Sequence, residues 1–217
     1  MDHTPLIRIK DYERIHDIAH AVLKGQQSIP HKSCLFFSMA GAYILSTRLK
    51  IEARPVAGAA FYCVSKSTDK SDILSFAKVK KDDGTMAVDS DEDSFHCWVE
   101  SEDWIIDFTA PLFNFSAQEA GFESPVPRRM FQKKKVEMND SPNLERAGDF
   151  FLLPNQHLTN ELLEKNLIRN DVRDLLDICS QWFMPADRKM RQELKIGSSD
   201  GKITQMRIVP ASLNSKW

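Results

Sequence analysis

Residues 95–110 read FHCWVESEDWIIDFTA, and this stretch sets the architecture. Two short runs rich in aromatic and β-branched residues, FHCWVE and WIIDFT, flank a polar connection at Ser101-Glu102-Asp103. That pattern predicts an antiparallel hairpin. A turn centred between Glu102 and Asp103 sets Trp98 opposite Asp107 and His96 opposite Thr109. Directly opposed residues share a face of a sheet, as do residues two apart on one strand. His96, Trp98, Asp107 and Thr109 are therefore expected on one side, with His96 and Asp107 as diagonal neighbours. A one-residue slip would turn each of these side chains to the other face and undo the arrangement.

Asp107 lies inside the apolar run WIIDF, where an unpaired carboxylate would be costly. His96 is its nearest partner by this geometry. A carboxylate in that position accepts the imidazole N–H, fixes the tautomer and stabilises the imidazolium. Upstream, HKSCLFFSMAGAYILSTRL follows a loop containing Pro30 and predicts a second helix from about Ser33, apolar on nearly all faces and so buried. Cys34 stands at its N-terminus. There the positive end of the helix dipole and free N–H groups favour a thiolate and can receive an oxyanion. A thiolate paired with an imidazole attacks an amide or ester carbonyl, forms an acyl-thioester and needs no cofactor. Cys34, His96 and Asp107 are the expected nucleophile, base and orienter. Trp98 on the same face is a candidate substrate contact, and Gln26 and Gln27 are candidate side-chain oxyanion donors. His31 is expected as a loop or cap residue, Trp104 as core or channel wall, and Cys97 as pointing opposite to His96 into packing. Cys63 and Cys179 read as core.

Residues 11–24 carry Ile15, Ile18, Ala19 and Val22 at helical spacing, with Gly25 as the stop. ARPVAGAAFYCV and the shorter ILSFAKVK have strand composition, and DDG at 82–84 signals a turn. From Pro111 to about Leu153 prolines and basic runs predict a long irregular connection, with Lys133-Lys134-Lys135 as a solvated loop. The acidic cluster Asp89, Asp91, Glu92 and Asp93 lacks the order of a calcium loop and reads as a charged turn. Residues 159–183 are helical with a break near Asn170, and 195–209 form a terminal hairpin around SSDG. The order of helices, strands, then helices predicts an α+β fold. N-terminal helices pack on an antiparallel sheet, and C-terminal helices and a short hairpin follow.

Three blocks in this order resemble the transglutaminase-like superfamily of papain-type cysteine enzymes. They are HKSCLFFSMAGAYIL; IEARPVAGAAFY, where Ala53, Arg54, Val56 and Gly58 match an Ala-Arg-x-Val-x-Gly pattern; and HCWVESEDWIIDFTAP, where His96, Trp98, Val99, Glu100, Trp104 and Asp107 match in turn. The resemblance covers roughly residues 15–112. It implies a papain/transglutaminase-like catalytic core over 1–112, with 113–217 an accessory segment completing the same domain. It also implies the Cys34–His96–Asp107 triad and a hydrolase or acyltransferase acting on a peptide-like amide or ester. The same superfamily contains members that have lost catalysis and serve as binding modules, and arylamine N-acetyltransferases are structural relatives. Both are alternative expectations.

Composition bounds the rest. In 217 residues, 42% are hydrophobic and 28% charged, and the formal net charge is −2. This is an ordinary globular mixture able to bury a core, and its charge argues against broad nucleic-acid binding. The four scattered cysteines form no CxxC pair, so neither a zinc site nor any other metal or cofactor is expected. MDHTPLIRIKDYERIHDIAH has no apolar signal region, and no run of 18 apolar residues exists. The expectation is a cytoplasmic protein with a peptide or small amide substrate and no membrane partner.

Overall fold

A computed structural model describes residues 5–66, 71–82, 85–197, 201, 203–213 and 215–217. The chain opens with α1 (Ile9–Gly25), whose buried stripe includes Ile15, Ile18, Ala19 and Val22. A 3-10 turn at Pro30–Lys32 leads into α2 (Cys34–Ile44), buried from Phe37 through Ala42. Gly41 lets this helix approach the sheet region closely, since a Cβ there would sit 2.3 Å from the Phe108 ring. A π-helical turn at Leu45–Leu49 follows, and Lys50 ends it at φ 59.

The centre of the molecule is β1 (Arg54–Lys66), thirteen residues long and buried through most of its length. It is followed by β2 (Ser71–Phe76), β3 (Lys78–Asp82), β4 (Thr85–Asp89), β5 (His96–Ser101) and β6 (Trp104–Asp107). Then come α3 (Phe113–Glu119), β7 (Phe131–Lys134), β8 (Phe150–Pro154), α4 (Gln156–Leu167) and α5 (Asn170–Trp182). The terminal ribbon is β9 (Glu193–Gly197) with β10 (Ile203–Arg207). The fold is α+β. Its main sheet has the order β2-β1-β5-β6-β7, with β8 also paired to β1, all antiparallel. Strands β2 and β8 both pair with residues 60–62 of β1, so they occupy its two edges.

The sheet separates two apolar layers. Val99, Ile106 and Phe108 pack with α1, α2 and α5 on one side. Val56, Tyr62, Trp98, Ile105, Phe113, Phe131 and Phe150 fill the other. Burial of this kind, at about 25 cal/mol per Å² of apolar surface, is the main stabilising contribution. Among the described residues no helix is long and apolar enough to cross a membrane.

Several expectations are corrected. ILSFAKVK is not one strand. It breaks at Ala77 into β2, which pairs with β1, and β3, which forms a separate ribbon with β4. The stretch Pro111–Leu153 is not an irregular connection but contributes α3, β7 and β8. These elements are short, and pairing with β6 and β1 rather than internal periodicity stabilises the two strands. The Lys133–Lys135 run is likewise not a solvated loop. Lys133 pairs with Ile105 in the sheet, Lys134 lies 5.4 Å over the Trp104 ring, and Lys135 Nζ is 2.9 Å from Glu100. Strands β7 and β8 make the second half of the chain part of the same sheet as the first. The helical region 159–183 divides where expected, between Leu167 and Asn170. Most of the SSDG turn, and the Asp83-Gly84 part of the DDG turn, lie outside the described residues.

Candidate active site

The hairpin register is the one read from the sequence. Ser101 pairs with Trp104, Glu100 with Ile105 and Val99 with Ile106, which continues to Trp98 opposite Asp107. His96 and Asp107 meet on that face, with Nε2 of the ring 2.7 Å from Oδ2 of the carboxylate, both side chains almost wholly buried. The other carboxylate oxygen accepts from the Thr109 N–H at 2.8 Å and the Thr109 hydroxyl at 2.5 Å. The Tyr12 hydroxyl, from α1, donates to the main-chain carbonyl of Asp107. Asp107 is thus held in both position and charge. Burial alone would raise its pKa, but the His96 charge and the Thr109 donors keep it below the ordinary aspartate value.

The His96 ring is walled by aromatics. Phe76 stacks on it at 4.5 Å between centroids, and Tyr62 meets it edge-on at 5.6 Å. Such a dry site disfavours the imidazolium, but Asp107 and the Cys34 sulphur outweigh burial and lift His96 from 6.5 to about 10. With Nε2 committed to Asp107, Nδ1 is the nitrogen left for the sulphur.

Cys34 is the first residue of α2. Ser33 precedes it but does not cap the helix with its side chain; its hydroxyl donates instead to the Ile29 carbonyl at 2.8 Å. The N–H groups of the first turn are therefore not consumed by a side-chain cap, and no acidic residue sits in that turn. Although α2 packs on the Val99–Ile106 side, His96 is the first residue of β5. Cys34 and His96 open together into a cleft of about 410 Å³, with Leu74, Phe76, Phe95 and His31 among its walls. The Cys34 thiol is drawn well below its ordinary value of 9.0. The largest cause is a hydrogen bond from the Cys97 thiol, burial opposes it, and His96 adds a hydrogen bond and its charge; the Cys97 main-chain N–H also donates to the sulphur. The arrangement can hold a thiolate–imidazolium pair, present main-chain donors to an oxyanion and exclude water from the ring.

The structure thus brings Cys34, His96 and Asp107 together, and it redraws the remaining candidates. Gln26 and Gln27 are exposed at the C-terminal end of α1, and neither lines the cleft. Gln27 takes a left-handed φ of 58 as the chain turns away. They are not oxyanion donors in this arrangement. Trp98 shares the face, as expected, but is wholly buried in the core, with its indole N–H 3.4 Å from Glu100. It is therefore a scaffold residue and not a substrate contact. His31 is more than a loop residue: it lines the cleft, stacks on Phe115 and lies 3.0 Å from Glu119. Cys97 does point into packing, against Ala57, Leu158 and Leu162, yet Cys34 packs against the same cluster. Cys63 and Cys179 are buried, as expected. Trp104 is partly exposed and carries the Lys134 ammonium on its face.

Sequence reasoning misses Tyr12, Tyr62, Phe76 and the Cys97 thiol, and it places Thr109 on the right face without its role. The acidic cluster is a turn closed by the Asp91–Ser94 bridge, with Asp91 paired to Lys78. Among the described residues no group of three His, Cys, Asp or Glu side chains converges as metal ligands would.

A family model described as "Protein of unknown function (DUF2026)" matches residues 8–217. No curated protein matches the chain significantly. A crystal structure described as that of genomics APC5867 is similar over 100% of this chain and 99% of its own, at 28% identity and a TM-score of 0.85.

Proposed function

The chain belongs to the DUF2026 family, and from the geometry of its own site we propose that it is a cofactor-independent thiol enzyme, a hydrolase or acyltransferase acting on a peptide-like amide or ester. The observation that carries this reading is the buried 2.7 Å His96–Asp107 pair opening beside a cysteine at an uncapped helix N-terminus. A structural histidine needs a partner, but it does not need a sulphur with a depressed pKa in the same cleft. The order of α2, β1 and the β5–β6 hairpin supports reading the core as transglutaminase-like.

In this mechanism the imidazolium and Asp107 hold Cys34 as a thiolate. The sulphur attacks the acyl carbon, and the carbonyl oxygen becomes an oxyanion that the N–H groups at the start of α2 and of Cys97 stabilise. His96 Nδ1–H gives its proton to the departing amine or alcohol as the carbon–heteroatom bond breaks, leaving an acyl-thioester on Cys34. His96 then takes a proton from water or an amine, which attacks the thioester and releases the thiolate. The acceptor separates hydrolysis from transfer.

A screen of amides, esters and thioesters with Cys34→Ala as control tests the proposal. Turnover lost in Cys34→Ala is the expected result. Turnover equal in both proteins, or none from either, sinks the enzyme reading in favour of a binding module.

A further inference from the structure

We propose that Cys34 and Cys97 form a redox couple, so that oxidation of the cleft thiol is captured as a Cys34–Cys97 disulfide that switches the site off reversibly. This rests on the reading of Cys34 as a reactive thiolate and adds a second sulphur that the acyl chemistry does not require.

The placement follows from the strand. Cys97 is next to His96 in β5, so its side chain leaves the opposite face, toward α2 and α4. There it lies at 1% exposure, with Ala57, Leu158 and Leu162 around it. Its register partner on β1 is Ala57, whose methyl group leaves room for a second sulphur. Cys34, packed against that cluster and open to the cleft, is the thiol an oxidant reaches; Cys97 is sealed behind it. Cys34 packs against the cluster that holds Cys97, and the Cys97 thiol is the largest cause of the lowered pKa of Cys34. Burial first, and then the nearby thiolate, raises that of Cys97. The pair is therefore asymmetric: one sulphur is anionic and accessible, the other neutral and protected.

A small hydroperoxide supplies the oxidising equivalents. The Cys34 thiolate attacks one peroxide oxygen, the O–O bond breaks, and the alkoxide or hydroxide leaves with a proton from His96. Cys34 becomes a sulfenic acid, oxidised by two electrons as the peroxide is reduced. Its negative charge is then gone, and with it the charge that discourages ionisation of Cys97. The Cys97 thiol attacks the Cys34 sulphur. The S–O bond breaks, the departing hydroxide takes the Cys97 proton and leaves as water, and the S–S bond forms. A dithiol reductant restores both thiols. The couple protects the nucleophile, because a sulfenic acid with no resolving thiol proceeds to the irreversible sulfinic acid.

The test exposes the reduced full-length protein to hydrogen peroxide and maps its peptides by mass without reduction. The expected product lacks the mass of two hydrogens and links the Cys34 peptide to the Cys97 peptide. Iodoacetamide labelling of Cys34 falls at least ~10-fold, and dithiothreitol restores it. Cys97→Ala, whose folding is checked by labelling at Cys34 before oxidation, is expected to gain oxygen on Cys34, with labelling that dithiothreitol does not recover. Wild-type protein that gains oxygen on Cys34 with no link to Cys97 overturns the couple and leaves the nucleophile reading intact. A Cys34 that neither links nor gains oxygen overturns both.

Discussion

Replacing Asp107 by asparagine removes one charge while keeping the shape, and its consequences can be worked through atom by atom. At 2.7 Å, a unit charge pair at an effective dielectric of about 20 attracts by about 6 kcal/mol. Desolvation of two buried groups opposes most of this, so a net loss of about 3 kcal/mol is expected when one partner goes. In Asp107→Asn the new amide keeps its carbonyl on the Thr109 donors. Its NH2 group then faces His96 Nε2 as a donor. The ring must accept there, which puts the remaining proton on Nδ1, toward the sulphur. A neutral ring in that tautomer cannot take the thiol proton, and burial now pushes its pKa below 6.5 instead of about 10. The Cys34 thiolate loses its counter-ion, and the thiol pKa should rise back toward its ordinary value. Acyl transfer should fall by about 10²- to 10⁴-fold. The assay is the rate of Cys34 alkylation by iodoacetamide against pH, read by peptide mass. The inflection should move up by at least ~1 pH unit in Asp107→Asn, with the other three cysteines unaffected. An unchanged profile would refute the reasoning, because the carboxylate would then have no hold on the sulphur.

Three further outcomes follow from the same geometry. The rate of acyl transfer should rise with pH along a limb well below 9.0, as Cys34 ionises, and fall near about 10, where the His96 imidazolium is lost; a pH–rate profile checks both limbs. Burial lifts the buried Asp17 carboxyl to about 7 from 3.8 in spite of the Ala211 N–H it accepts. A group raised in the folded state binds protons that the unfolded chain has released, so its contribution to stability falls as pH rises from about 4 to 7. Asp17→Asn removes that loss, so denaturant unfolding should show the variant gaining on the wild type between pH 4 and pH 8, by up to about 4 kcal/mol. A Cβ at Gly58 would lie 2.2 Å from the Leu153 carbonyl oxygen and 2.9 Å from the Pro154 Cα. Gly58→Ala must therefore push β8 off β1, at a cost of about 3 kcal/mol and a drop of about 6–12 °C in melting temperature.

The parts of the site that sequence can reveal are those set by short-range geometry. The two-residue turn at Glu102-Asp103 fixes the register, and the register fixes His96 against Asp107. The Pro30 loop before an apolar run marks where α2 begins, and so Cys34. What stays hidden depends on contacts remote in the chain. Tyr12 reaches Asp107 across 95 positions of sequence, and nothing in the periodicity of α1 distinguishes it from any core tyrosine. Strands β7 and β8 read as loop because their order comes from β6 and β1, not from their own pattern. The face of Cys97 is legible but its partner is not, since alternation along a strand says where a side chain points and not which thiol waits there. Trp98 misleads for the opposite reason: it shares the face with His96, but the aromatic layer of Tyr62, Phe113 and Phe131 closes over that part of the sheet.

The central claim is that the Cys34 sulphur carries an acyl group. The most direct measurement mixes the protein with an activated acyl ester, quenches it in acid and locates the adduct by peptide mass. One acyl group on Cys34, labile to hydroxylamine and absent in His96→Ala at neutral pH, is the predicted result. Acylation spread evenly over Cys34, Cys63, Cys97 and Cys179, or found on none of them, would contradict it.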